Sequence, residues 1–182
     1  MLYLDEAYTK VRGKPYWNLL ALGEDKNGKR AYLGAVLSQD KSEVAWTSLL
    51  EALEIPDAGR GLLVIHDGDH AIASAVGFIL PRAKTRLCVW HHLHNVFLKA
   101  REQYPHDQYR VKEAIKVAKI GLETSQPRTT SPLEREIKEY RRRTRPMDGF
   151  KSHMGAANFL RIWLSKENAR MAKEDWLKAA VN

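Results

Sequence analysis

Three acidic residues stand where phosphoryl chemistry would use them: Asp5 near the N-terminus, Asp67 after an apolar run, and Glu134 in the second half of the chain. Displacement at phosphorus with two bound metals needs several carboxylates converging on one spot. Hard divalent cations take oxygen ligands and leave coordination positions open for water and phosphate. Such carboxylates must sit at the ends of elements that meet. Asp5 lies on a first apolar strand and Asp67 ends a run Leu62-Leu63-Val64-Ile65, so the two become neighbours if those strands pair. A third carboxylate has to come from the second half, and Glu134, at the start of a helix, is the best placed. Each has a plainer reading. Asp5 could be an exposed strand residue, although β-propensity disfavours Asp there. Asp67-Gly68 could be a strand-to-helix turn with Asp69 capping the next helix. Ser131 and Glu134 have the spacing of a capping box, whose Glu satisfies a backbone donor without any metal.

Two further groups carry chemical potential. Cys88-Val89-Trp90-His91-His92-Leu93-His94 is the densest run of soft and borderline ligands. Structural zinc wants separated ligand pairs, and only His66 and His70 could supplement this run, so a structural role for one buried Cys and its His neighbours is the stronger reading. Arg135, Lys138, Arg141, Arg142, Arg143 and Arg145 lie along one helix and its end. They suit contact with a phosphate backbone; the plainer alternative is a solvated helix laced by Glu136 and Glu139. No phosphate-cradling glycine loop and no Gly-x-Ser-x-Gly elbow occurs, which removes the support for nucleotide-hydrolase and serine-hydrolase readings.

The elements that must position these residues are legible in outline. Met1–Lys10 alternates, with Tyr3 and Asp5 on one face and Leu2 and Leu4 on the other. Pro15–Leu22 and Arg30–Leu37 are strands joined through Asn27-Gly28, a strong hairpin signal. Lys41–Leu53 has helical spacing with Ser42 as N-cap, and Gly61–His66 reads as a buried strand. An amphipathic helix through Ile72 and Ile79 ends at Pro81; Thr85–Trp90 reads as a fifth strand, and a helix follows from Leu93 to Tyr104. Beyond come a basic helix around Val111–Ile120, a polar linker over Thr124–Thr130, and a helix restarting at Ser131-Pro132. Two more helices are suggested by Phe159, Leu160 and Trp163, and by Met171, Trp176 and Leu177. The order predicts an α/β fold of the ribonuclease-H kind: a mixed five-stranded sheet flanked by helices, with a short helical insertion and a helical C-terminal part.

The chain has 182 residues, 44% of them apolar and 29% charged, which suits one folded domain and excludes a disordered chain. One cysteine excludes a disulfide scaffold. The longest mostly apolar stretch, Ala71–Leu80, is half of the roughly 20 residues a bilayer span needs, and no export signal is visible. The expected setting is therefore cytoplasmic. Charge is divided unevenly: residues 1–81 carry 8 basic and 11 acidic side chains, residues 82–182 carry 22 and 11. That split suggests a polyanion against the second half.

Taken together, Tyr3-Leu4-Asp5-Glu6-Ala7-Tyr8-Thr9-Lys10-Val11-Arg12, Gly61 to Gly68 with its His66-Asp67, Cys88-x-x-His91 with Asn95, and Thr129-Thr130-Ser131-Pro132-Leu133-Glu134-Arg135 resemble, in order, the catalytic core of Mutator-type transposases. The resemblance covers roughly residues 1–160. It implies a ribonuclease-H-like fold, with residues 1–104 as the first part of the core, 105–130 as a shortened helical insertion, and 131–182 as the helical remainder. It also implies an Asp-Asp-Glu triad of Asp5, Asp67 and Glu134 holding two Mg²⁺ or Mn²⁺ ions, with Cys88 and His91 as architectural support. The implied activity is cleavage at transposon ends and strand transfer into target DNA by a nucleoid-associated homodimer. Such transposases carry a DNA-binding region ahead of the first Asp and a longer segment between the second Asp and the Glu. The expectation is accordingly a truncated copy or a fragment in which end recognition is missing. A basic remnant that binds DNA without chemistry, and a nuclease of the same fold that cuts without joining, are the alternatives.

Overall fold

The computed structural model describes residues 1–123 and 132–181. Strands β1 (Leu2–Val11), β2 (Lys14–Glu24) and β3 (Arg30–Ser38) form a meander. Helix α1 (Glu43–Ala52), β4 (Leu63–His66), α2 (His70–Ile79), β5 (Lys84–Leu87) and α3 (Val89–Gln103) follow, and then α4 (Gln108–Glu123), α5 (Pro132–Thr144) and α6 (His153–Val181). The sheet order is β3-β2-β1-β4-β5. β1 pairs antiparallel with β2 and β2 with β3, whereas β4 lies parallel to β1 and β5 parallel to β4. This is the ribonuclease-H-like arrangement that the element order predicts.

Local chemistry explains the regular parts. Between β2 and β3, Asp25 Oδ1 accepts from the amides of Asn27 and Lys29, both at 2.8 Å, and Gly28 takes the left-handed φ of 77° that closes the turn. Ser42 caps α1 by accepting from the Ala45 amide, and Asp69 caps α2 by accepting from the Ala71 amide at 2.8 Å. Because strand side chains alternate, β1 feeds two cores. Leu2 and Leu4, with Leu19 and Ala21 of β2, pack against Trp46, Leu49 and Leu50 of α1 and Ile72, Ala75 and Val76 of α2. Tyr3 and Ala7 pack on the other face with Leu133, Ile137 and Tyr140 of α5 and Leu160 and Trp163 of α6. Asp5 shares that second face.

The structure corrects three boundaries. The fifth strand stops at Leu87, and α3 begins at Val89 rather than Leu93. Cys88 is its N-cap residue, with the His92 amide donating to the Cys88 carbonyl at 2.9 Å. Val89 and Trp90, apolar enough to extend a strand, occupy the first helical turn instead. The two C-terminal helices are one, α6, because no Gly or Pro interrupts residues 156–181. The basic helix around Val111–Ile120 is longer at its start, where Asp107 accepts from the Arg110 amide at 3.0 Å. The Thr124–Thr130 linker and the Ser131 cap lie outside the described residues. Among the described residues no helix is long and apolar enough to cross a membrane.

Candidate active site

The site forms where β1, α3 and α5 meet. Parallel pairing of β1 with β4 sets Leu2 opposite Val64 and Tyr3 opposite Ile65. Asp5 lies two residues beyond Tyr3 within β1, and Asp67 directly follows His66, the last residue of β4. Leu133 and Ile137 bury the inner stripe of α5 against the sheet, which carries Glu134 over Asp5. The first turn of α3 brings in His91. Ligand atoms of Asp5, His91 and Glu134 all lie within 4.8 Å of one another, the one grouping among the described residues in which three or more such side chains could hold a metal ion.

The electrostatics of this cluster are those of two carboxyl groups sharing one imidazole. Asp5 is only 6% exposed, and its Oδ1 accepts from the Glu6 amide at 2.7 Å. Burial, and then the neighbouring Glu134 charge, push its carboxyl well above the usual range, against the opposing pull of His91 and the Glu6 amide. His91 Nε2 lies 3.1 Å from Glu134 Oε1. Burial opposes charging of the His91 ring, but its hydrogen bond with Cys88 and the charges of Asp5 and Glu134 outweigh that, raising its pKa to about 9. A protonated imidazole thus supplies the positive charge between the two carboxyl groups.

Asp67 stands outside this cluster. Its Oδ1 accepts from the Asp69 amide at 2.8 Å, so the turn role that its sequence context suggests is real, and so is the Asp69 cap. Its electrostatic neighbour is Glu6, which projects to the other face of β1. There Glu6 meets Lys41 at 2.6 Å, and Lys41 lies 3.8 Å from Asp69. Burial raises the Glu6 pKa; the Lys41 ammonium opposes this, and Asp67 and Asp69 add to it. Asp5 and Glu6, adjacent in sequence, therefore divide two acidic groups between the faces of one strand.

Gly68 fixes where Asp67 points. Its φ is +90°, and a Cβ added there would meet Leu87 Cδ1 at 2.6 Å. Gly68→Ala should therefore destabilise the fold by about 1–3 kcal/mol, from left-handed strain of about 1–2 kcal/mol plus the clash. Chemical denaturation would measure it; a loss below about 0.5 kcal/mol would mean that the turn is not constrained as described.

The basic residues are spread over α5 and its end. Arg135, Lys138, Arg141, Arg142, Arg143 and Arg145 are all exposed. Arg142 and Arg143 donate to Glu139 Oε1 at 2.9 and 3.2 Å. Glu136, the other acid expected to lace this face, is buried instead and receives Arg170 of α6 at 2.8 Å. Arg141 and Arg145, with Lys10, line a cavity of about 430 Å³ beside Tyr8 and Thr144.

The sequence alone assigns His91 a supporting role, whereas the structure sets it directly on Glu134. The available signal was the i, i+3 spacing of Cys88 and His91, which puts both on one side of a helical turn. Nothing in the spacing identifies a partner on a helix more than forty residues later. Cys88 is buried beside His91 and joins no zinc-like set among the described residues.

Residues 1–154 match a family model described as Transposase, Mutator family. The transposase for insertion sequence element ISRM5 of Rhizobium meliloti (strain 1021) is 33% identical over 102 residues, covering 52% of this chain and 25% of that protein. The transposase for IS406 of Burkholderia multivorans is 33% identical over 95 residues, covering 50% of this chain and 24% of that protein. The chain thus matches about a quarter of the length of these curated relatives. Among solved structures, the HTLV-2 integrase catalytic core domain in complex with magnesium aligns with a TM-score of 0.36 and 14% identity, over 64% of this chain and 80% of that one.

Proposed function

We infer the function from one premise: the chain belongs to the Mutator family of transposases. We propose that it is the catalytic part of such an enzyme, cleaving DNA at transposon ends and joining the freed 3′ end to target DNA, with Asp5, Asp67 and Glu134 as the acidic residues of the site. The observation that carries this reading is the convergence of Asp5 and Glu134, from the first strand and the fifth helix, into one partly buried acidic cluster.

The donor set fits a divalent cation. Two carboxyl groups with hard oxygens lie close together, one of them held above its ordinary pKa by burial and by the charge of the other. Asp5 and Glu134 would hold Mg²⁺ or Mn²⁺, with Asp67 completing the site from the adjacent strand end. When bound, such ions supply Lewis-acid activation of the attacking oxygen and charge relief for the leaving one. The chain's own residues do the rest. Leu133 and Ile137 hold α5 so that Glu134 stays over Asp5, and the low dielectric around Asp5 strengthens every charge interaction there. The exposed basic residues of α5 neutralise backbone phosphates and set the register of the DNA. Paired transposon ends call for a homodimer, working in the cytoplasm on nucleoid DNA.

A second reading, a DNA-binding remnant without chemistry, has one observation in its favour: Asp67 serves the turn and stands outside the cluster. Incubation with supercoiled plasmid and a 3′-hydroxyl oligonucleotide separates the readings. A transposase core gives nicked and joined products with Mn²⁺ and none with chelator. A nuclease gives nicks alone. A remnant gives neither, yet binds DNA with a steep salt dependence that Asp5→Ala and Asp67→Ala leave unchanged.

A further inference from the structure

One exposed stripe of α3 is built entirely from planar π groups. Trp90 and His94 stack with centroids 4.9 Å apart and planes within 9°. His94 and Phe97 continue the stack at 6.4 Å, and the Arg101 guanidinium lies 5.6 Å from the Phe97 centroid. The spacing i, i+4, i+7, i+11 keeps all four on one helix face. Three of the four are accessible: Trp90 is 45% exposed, and His94 and Arg101 are exposed as well, while Phe97 is half-buried.

The stripe is joined at both ends to features that favour a nucleic-acid strand. At its start, Trp90 meets the His91 ring edge-on at 4.8 Å, and His91 is the residue against Glu134. At its far end, Phe97 and Arg101 line a cleft of about 380 Å³ between α3 and α4, together with Tyr104, Lys112 and Ile115. Indole, imidazole, phenyl and guanidinium in sequence, with two cations at the far end, match the stacking faces and the backbone charge of unpaired nucleotides. The rise from Trp90 to Arg101 is about 16 Å, long enough to run beside several nucleotides of a strand.

We propose that the Trp90–His94–Phe97–Arg101 ladder is a stacking platform for the unpaired bases of a DNA strand whose phosphate reacts at Asp5 and Glu134. This rests on the DNA reading above and adds to it a class of substrate: a strand end opened next to the reacting phosphate rather than a fully paired duplex. The platform would hold that end by base faces, without regard to sequence, while the phosphate enters the acidic cluster.

The test is equilibrium binding of the full chain in chelator, where no cleavage occurs. The probes are a fluorescent oligo(dT) of about 12 nucleotides and a blunt duplex of the same length. Trp90→Leu should weaken single-strand binding about tenfold or more, the loss of at least one base stack, and leave duplex binding within about twofold. Trp90→Phe, which keeps a ring, should restore most of it. His94→Ala, a second and milder break in the ladder, should weaken single-strand binding in the same selective way, and it carries the test if Trp90→Leu fails to fold. Unchanged single-strand affinity in the folded variants would overturn the proposal, and so would equal losses on both probes. A change of oligomeric state with unchanged oligonucleotide binding would also overturn it, since the stripe would then be an interface between copies. Selective single-strand binding in a protein that fails to bind Mn²⁺ would sink the catalytic reading and leave the platform standing; the reverse pattern would sink the platform alone.

Discussion

Asp5→Asn should raise the melting temperature of the metal-free protein while reducing divalent-dependent DNA cleavage by about 10³-fold or more. Both effects come from one carboxyl group. Burial and the Glu134 charge lift the Asp5 pKa well above its ordinary value of about 3.9. Between those two values the native state keeps a proton that the unfolded chain has released, so stability falls as pH rises through that window. Asn has the same shape and no charge to bury. The variant's gain should be greatest at the upper end of the window and shrink as pH falls toward about 4. A gain of about 1 kcal/mol would appear as roughly 2–4 °C in a chain of this length. Cleavage fails because an amide cannot replace an anionic ligand where charge develops; loss of a single preorganised stabilising group already costs about 10²–10³-fold. Calorimetry across pH and a nicking assay measure the two halves separately. A variant less stable at neutral pH, or one that still cuts DNA, would mean that Asp5 is an ordinary buried acid.

Leu133→Ala should have the largest effect on stability among substitutions near the site, about 2–5 kcal/mol. Leu133 is fully buried between α5 and the sheet, in a core with Tyr3, Ile65 and Ile137. It is also the residue next to Glu134, so a cavity there loosens the attachment of the acidic side chain to β1. Leu50→Ala is the matched control, equally buried but in the core on the opposite face of the sheet. Both should lower the denaturation midpoint by similar amounts. Only Leu133→Ala should also weaken metal binding at a temperature where both variants are folded. Equal effects on metal binding would show that α5 packing does not position Glu134.

The strands that carry the acids are readable in the sequence because their physics is local. Strict alternation places Asp5 with Tyr3 and away from Leu2 and Leu4, and the Asn27-Gly28 turn fixes the hairpin. The Asp67 turn and the Asp69 cap follow from side chains bonding backbone two residues away. What is hidden from the sequence is long-range. Glu134 meets His91 because two helices pack on one sheet face, and no periodicity in either helix encodes that partner. Val89 and Trp90 suit a strand as well as a helical turn, and the backbone settles the matter by starting α3 at Val89, with Cys88 as its N-cap residue. Glu136 looks like a surface partner for neighbouring arginines, but it lies on the buried side of α5, where Arg170 reaches it from α6.

The central claim is that Asp5, Asp67 and Glu134 form one metal site, and the most direct test is thermal stability with and without millimolar Mn²⁺. The proteins needed are the wild type and the variants Asp5→Ala, Asp67→Ala and Glu134→Ala. An ion that binds only the folded state at about a hundred times its dissociation constant adds roughly 2.7 kcal/mol, a shift of several degrees. The account predicts that the wild type gains this shift and that all three variants lose it. A wild type that does not respond, or an Asp67→Ala protein that keeps the full shift, would contradict it.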